Sequence, residues 1–203
     1  MRYGIKTLSP AYFGGPPDIA VAGPNVGSNL FLAVLGSGTV GATTEAVKEG
    51  IPGIAFSGAT GSQTAWNAHV QPYEQIYADL STSFTQAVVG SGKPYLPSNT
   101  WLNVNFPAVS STTCSSASDF RFVLSRINPS VPLLTPEDVT TCNNDGRLPT
   151  ETTVVGTAGC YASVSVGIAS TKLDADSTTQ QVVLDKLNNI LSCLPAGRVA
   201  SIA

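Results

Sequence analysis

Residues 30–50, LFLAVLGSGTVGATTEAVKEG, set an apolar run, a glycine turn and a helical pattern in immediate succession. The run closes on Gly36-Ser37-Gly38-Thr39-Val40-Gly41, which read literally is G-x-G-x-x-G after a strand and before a helix. Val40, Thr43, Ala46 and Val47 recur at helical spacing over 39–49, and Gly50-Ile51-Pro52 ends the pattern. A strand feeding a helix through a glycine turn is the unit from which α/β domains are assembled.

The neighbouring segments extend that unit. Residues 18–22, DIAVA, follow Gly-Gly-Pro-Pro and read as a buried strand. Residues 23–29, GPNVGSN, carry turn chemistry. Residues 51–56, IPGIAF, form a second buried strand. Over 72–90, Ile76, Leu80, Phe84, Ala87 and Val88 share one face of a long helix. WLNVNF at 101–106 alternates apolar and polar as a strand, and Pro107 stops it. Residues 108–160 are polar and irregular apart from a strand at 120–125, and are expected to leave the main sheet. A strand over 160–169 and a helix over 178–194, with Val182, Val183, Leu187, Ile190 and Leu191 as its stripe, complete the chain. The alternation predicts a single α/β domain with a largely parallel sheet and no internal repeat.

Composition bounds the partners. The 203 residues can bury a sizeable core, and 42% of them are hydrophobic. Charged residues make up only 11%, against roughly 25% in ordinary domains. The net charge of −3, without a Lys/Arg cluster, argues against a nucleic-acid duplex as partner. No run of about 18 apolar residues occurs, so no membrane partner is expected. Cys114, Cys142, Cys160 and Cys193 form no C-x-x-C, and His69 is the only histidine, which disfavours zinc. Two disulfides in an oxidising compartment are the leading reading. The alternative is four thiols, and any pairing would be one of about three connectivities.

The glycine turn admits three readings. A dinucleotide site wants an acid at the end of the next strand, and that strand ends Ala55-Phe56-Ser57-Gly58. A nicotinamide oxidoreductase is therefore disfavoured. An anion site is better supported. Ser37 is a suitable N-cap, and the first helical N–H groups lack intrahelical partners beside glycines that admit close approach. The bland reading is that Gly36 and Gly38 merely permit a tight turn. Asn25 and Asn29, flanking Gly27 after a strand, could offer amide oxygens to a hard divalent cation or could simply be turn residues.

Other residues receive structural readings. His69 is expected to be solvated, and Asp174 and Asp176 to cap the last helix with Ser177. Asn143-Asn144-Asp145-Gly146 reads as a turn, and Trp66 and Trp101 as core or loop packing.

PDIAVAGPNVGSN (17–29) with SGTVGATTEAVKEGIPGIAFS (37–57) resembles the core of the SurE-like phosphatase/nucleotidases, the survival protein family. LNVNFP (102–107) and YASVSVGIASTKLDAD (161–176) extend the likeness more loosely. The Ser/Thr-rich surface and the cysteines look like the fungal, acid-phosphatase-like branch. The resemblance implies a three-layer, Rossmann-like α/β fold and a metal-dependent phosphomonoesterase acting on nucleoside monophosphates or similar small esters. It implies one divalent cation, Mg or Mn, with Asn25 among its ligands. It also implies a phosphate site at Asn29, Ser37, Gly38 and Thr39, and the chance of a homodimer through residues 108–160 or the last helix. The family's Asn-Asp-Asp-Gly motif and its Ser-bearing loop do not occur in this chain. The expectation is therefore a domain lacking its N-terminal portion, with an incomplete metal site, no catalytic residue retained, and exposed apolar faces on DIAVA and IPGIAF. A secreted full-length protein is expected, although MRYGIKTLSP has no apolar leader pattern. The competing expectation is a non-catalytic phosphate- or nucleotide-binding protein that has lost its metal.

Overall fold

The computed structural model describes residues 1–195. Its frame is one six-stranded sheet of β1 (Ala20–Val26), β2 (Gly53–Gly58), β3 (Thr100–Phe106), β4 (Arg121–Ser125), β5 (Tyr161–Ile168) and β6 (Leu191–Ser192). The spatial order is β1-β2-β3-β5-β4-β6. All neighbours are parallel except β3 and β5, which run antiparallel with Asn103 opposite Ser165 and Asn105 opposite Ser163.

Six α-helices accompany the sheet. They are α1 (Ser9–Phe13), preceded by a π-helical turn at Gly4–Leu8, then α2 (Ala33–Gly36), α3 (Gly38–Lys48), α4 (Pro72–Gly90), α5 (Glu151–Gly156) and α6 (Ser177–Leu187). The helix α4 begins where Pro72 occupies its first turn and the Gln71 N–H donates to Glu74 Oε2 at 2.8 Å, a capping box. Its stripe Ile76, Leu80, Phe84 and Val88 packs with Val183 and Leu187 of α6 on one face of the sheet. That face presents Ile54, Phe56, Leu102, Val104, Phe106, Val164 and Val166. Phe84 meets Phe56 edge to face with ring centroids 5.8 Å apart; truncating such a ring to Ala costs about 3–5 kcal/mol. Val40 and Val47 of α3 cover the opposite face with Val34, Ala55 and Trp101. The result is helices, sheet, helices in three layers.

Several expectations are corrected. DIAVA is not a buried strand: β1 is an edge of the sheet, and Val21 is 42% exposed. The strand continues past Ala22 through a register shift to Asn25, so part of the expected turn is strand. IPGIAF, expected to show an apolar face, is covered, and β2 is buried at every position. Residues 108–160 do not simply leave the sheet. β4 lies within it, between β5 and β6, because Phe122 and Leu124 alternate into the core. The last helix ends at Leu187 and not at 194. Its buried residues are Gln180, Val183 and Leu187, while Val182 faces out and Leu191 belongs to β6. The cysteines pair as Cys114–Cys160 and Cys142–Cys193, so one bridge fastens the segment before β4 to the start of β5 and the other fastens 142 beside β6. Trp101 is core, but Trp66 is 98% exposed and packs against nothing.

Candidate functional site

The site lies at the carboxyl edge of β1, where the register shift turns Asn25 toward the start of α3. The Asn25 amide nitrogen donates to the carbonyls of Val26 at 3.1 Å and Gly27 at 2.7 Å, which fixes the direction of the side chain. Its oxygen, Oδ1, then collects three donors: Thr39 Oγ1 at 2.8 Å, Asn29 Nδ2 at 2.9 Å and Ser57 Oγ at 3.0 Å. Ser37 is extended (φ −71°, ψ 128°) and its Oγ accepts from the Val40 N–H at 3.1 Å, as an N-cap does. Thr39 thus sits in the first turn of an eleven-residue helix whose dipole puts partial positive charge there.

Beneath this rim the polar side chains continue into the sheet. Asn29 is buried; its N–H donates to Asn105 Oδ1 at 2.8 Å, and its carbonyl accepts from Asn103 Nδ2 at 2.8 Å and Asn105 Nδ2 at 3.3 Å. Its own Nδ2 also donates to Ser57 Oγ at 2.6 Å. Asn103 Nδ2 donates again, to Glu151 Oε1 at 2.7 Å. Ser125, Ser163 and Ser165 are buried too, with Ser125 and Ser165 sharing a hydrogen bond of 2.7 Å. The polar positions of WLNVNF and YASVSV, which alternation alone would turn to solvent, form the interior floor of the site.

Glu151 is the one ionisable side chain in that floor. Burial pushes its carboxyl up to about 8, the Asn103 amide and the Ser165 hydroxyl pull it back, and the charge of Asp174 adds to the rise. Burial thus favours its neutral, protonated form.

The structure brings together Asn25, Asn29, Ser37 and Thr39, with Gly38 between the last two. It adds Ser57, Asn103, Asn105 and Glu151, which sequence reading missed. Their signal was the N-x-N spacing in β3 and the Thr150-Glu151 pair, where Thr150 caps α5 and Glu151 opens it. His69 is exposed, as expected. Asp176 caps α6 by accepting from the Thr179 N–H at 2.7 Å. Asp174 does not cap; it accepts from the N–H groups of Ile127 at 2.6 Å and Asn128 at 3.0 Å. Asn144 closes the 143–146 turn by accepting from Thr141 and Gly146.

Whether these residues suit a divalent metal can be tested on the donor set. A hard cation takes about six oxygens, and in proteins carboxylates supply the charge. Among the described residues no three of His, Cys, Asp and Glu cluster at a metal-holding distance. The rim offers one neutral amide oxygen, Asn25 Oδ1, already receiving three donors. The described residues do not by themselves fit a metal. Their chemistry is hydrogen-bond donation at a helix terminus, without a charged side chain.

A mixed sheet covered by helices on both faces, with polar loops at the carboxyl ends of its strands, defines the Rossmann-like three-layer α/β class. The SurE protein from Aquifex aeolicus, solved as a crystal structure, shares this fold. Its TM-score is 0.55 at 21% identity, over 92% of this chain and 71% of that one. The profile of the family described as "Survival protein SurE" matches residues 1–126, and the chain belongs to that family. Among curated relatives, an acid phosphatase of Yarrowia lipolytica is 34% identical over 185 residues, covering 78% of this chain and 51% of the relative. A 5'-nucleotidase SurE of Thermofilum pendens is 43% identical over 96 residues, covering 47% of this chain and 35% of the relative. The chain thus spans about a third to a half of the length of these relatives.

Proposed function

We propose that this chain carries the phosphate-binding part of a phosphomonoesterase, acting on nucleoside monophosphates or similar small esters. The observation that supports it most is the convergence of Thr39 and Asn25 at the N-terminus of α3. In this reading a phosphoryl group sits against the early N–H groups of α3, with Gly38 allowing close approach. The Thr39 hydroxyl and the Asn29 amide turn from Asn25 to phosphate oxygens. Water forms a new P–O bond as the ester P–O bond breaks, the leaving alcohol takes up a proton lost by that water, inorganic phosphate remains, and charge spreads over the equatorial oxygens on the way. Preorganised donors aimed at those oxygens stabilise that charge more than the ground state. The Asn25 amide, anchored on the Val26 and Gly27 carbonyls, keeps the rim in shape for it.

The relatives named nucleotidase and acid phosphatase support a hydrolase. A divalent cation, Mg or Mn, would have Asn25 as its contact on this chain. The disulfides suit an extracellular protein. A second reading, non-catalytic binding of phosphate or a nucleotide, is favoured by the carboxylate-free rim.

The test is hydrolysis of an aryl phosphate by the purified chain with and without added Mg or Mn, beside Asn25→Ala, together with binding of inorganic phosphate. Metal-dependent turnover lost in the variant supports the esterase reading. Phosphate binding without turnover favours the second, and the absence of both removes each of them.

A further inference from the structure

Glu151 is fully buried, and a carboxyl in such a place needs a reason. A leucine or glutamine of similar size would fill the space without the cost of withdrawing an acid from water. Only one of its oxygens has a donor among the described residues: Oε1 takes the Asn103 amide at 2.7 Å, while Oε2 has no partner. Asn103 Oδ1 and Ser163 Oγ are likewise buried without partners. A protonated carboxyl supplies an O–H donor that an ionised one lacks. The Phe31 N–H also faces the carboxyl, and Phe31 is held at φ +48°, a left-handed conformation that costs a non-glycine residue about 1–2 kcal/mol. Such strain persists only where the surroundings impose it.

We propose that Glu151 is a positioning residue of the site: its buried carboxyl holds the Asn103 amide from below, and through Asn103 fixes the Asn29 backbone from which the Asn29 amide reaches Asn25. Three hydrogen bonds make the links: Asn103 to Glu151 at 2.7 Å, Asn103 to the Asn29 carbonyl at 2.8 Å, and Asn29 to Asn25 at 2.9 Å. Asn29 lies between the two ends of this chain, so a shift of its backbone moves the donor that Asn25 receives. The role assigned to the wiring rests on reading Asn25 and Thr39 as a phosphate cradle.

The surroundings decide what a change in Glu151 does. Asn103 on β3, Ser165 on β5 and the Phe31 amide face it, and none of them titrates. The Asp174 carboxylate raises it by its charge, while Arg126 turns its guanidinium to Asp138 at 2.6 Å and Asp174 at 3.8 Å. No cation among these compensates an ionised Glu151. Loss of its proton therefore puts an uncompensated charge directly beneath Asn103 and pulls on the same chain.

The experiment follows the side-chain amide NMR signals of Asn25, Asn29 and Asn103 in the 203-residue chain between about pH 5 and 9.5, with Glu151→Gln and Glu151→Leu alongside. In the unsubstituted protein the Asn29 and Asn25 signals should move together with a midpoint near 8, and in Glu151→Gln that movement should vanish. At about pH 6, inorganic phosphate should bind Glu151→Gln within roughly twofold of the unsubstituted protein and Glu151→Leu roughly tenfold more weakly. Asn25 and Asn29 signals that neither titrate nor shift in a folded Glu151→Leu would overturn the proposal. If Glu151→Leu does not fold, the comparison of the unsubstituted protein with Glu151→Gln decides it. If the unsubstituted protein binds no phosphate, the cradle reading fails, and the amide signals alone then decide whether Glu151 positions Asn29.

Discussion

The Thr39 hydroxyl donates to Asn25 Oδ1 across 2.8 Å and so ties the end of β1 to the first turn of α3. The two elements that form the rim therefore keep a fixed separation. Thr39→Val keeps the shape and deletes the donor. A lost hydrogen bond of this kind is worth about 1 kcal/mol. Phosphate affinity should fall roughly fivefold while the melting temperature barely moves, and isothermal titration with a thermal melt checks both.

Gly23 sits at φ +95°, and a Cβ there would lie 2.1 Å from the Phe56 carbonyl oxygen. The obstacle is backbone of the central sheet, which cannot step aside. Gly23→Ala should cost roughly 3 kcal/mol or more and displace Asn25 two residues later. Urea unfolding gives the first quantity, and the loss of phosphate binding at low denaturant reports the second.

The Glu151 carboxyl, raised from 4.5 to about 8, carries a stability signature of definite sign. The folded chain holds the proton more tightly than the unfolded one. Its contribution is complete below about pH 4.5 and is lost as pH rises through about 8. Across that window the group removes up to about 1.4 kcal/mol per pH unit. Glu151→Gln, which has no proton to lose, should flatten the slope and be the more stable protein near pH 8. Unfolding curves at several pH values test it, and a parallel slope in the variant would refute the assignment.

Two disulfides close loops of 46 and 51 residues in sequence separation. The chain-entropy relation gives each about 4 kcal/mol. Cys142–Cys193 joins the segment before α5 to the end of β6, so its reduction should loosen β6 and α6 first. Amide exchange with and without a reductant should show protection falling there before it falls in β2 and β3.

Among the described residues the edge strand β1 has no neighbour on one side, and Val21 and Val26 are 42% and 47% exposed. An exposed edge strand offers unpaired backbone groups to other edges. The purified chain should self-associate with rising concentration, and Val21→Lys should suppress it. Light scattering over a concentration series would show this, and a cooperative melt independent of concentration would count against it.

The elements legible in the sequence were those with strong local signals, β2, β3, β5, α3 and α4, and the rim residues were offered there as candidates. Residues 37–48 hold an N-cap, a glycine turn and a helical stripe within a few positions of one another, and such local signals depend on neighbours in the chain. Asn25, Asn29, Ser37 and Thr39 were legible for the same reason, as members of two short motifs. The tertiary structure alone decided what covers each face. Alternation in β3 indicated that Asn103 and Asn105 share one side, but not that Asn29 and α5 would close over it. Glu151 lies 48 residues from Asn103, and only the pairing of β3, β5 and β4 brings α5 beneath Asn29. The same pairing drew residues 121–125 into the sheet and turned the end of the expected last helix into β6. Burial is a property of what packs from elsewhere in the chain, and a periodic pattern records only which residues face together.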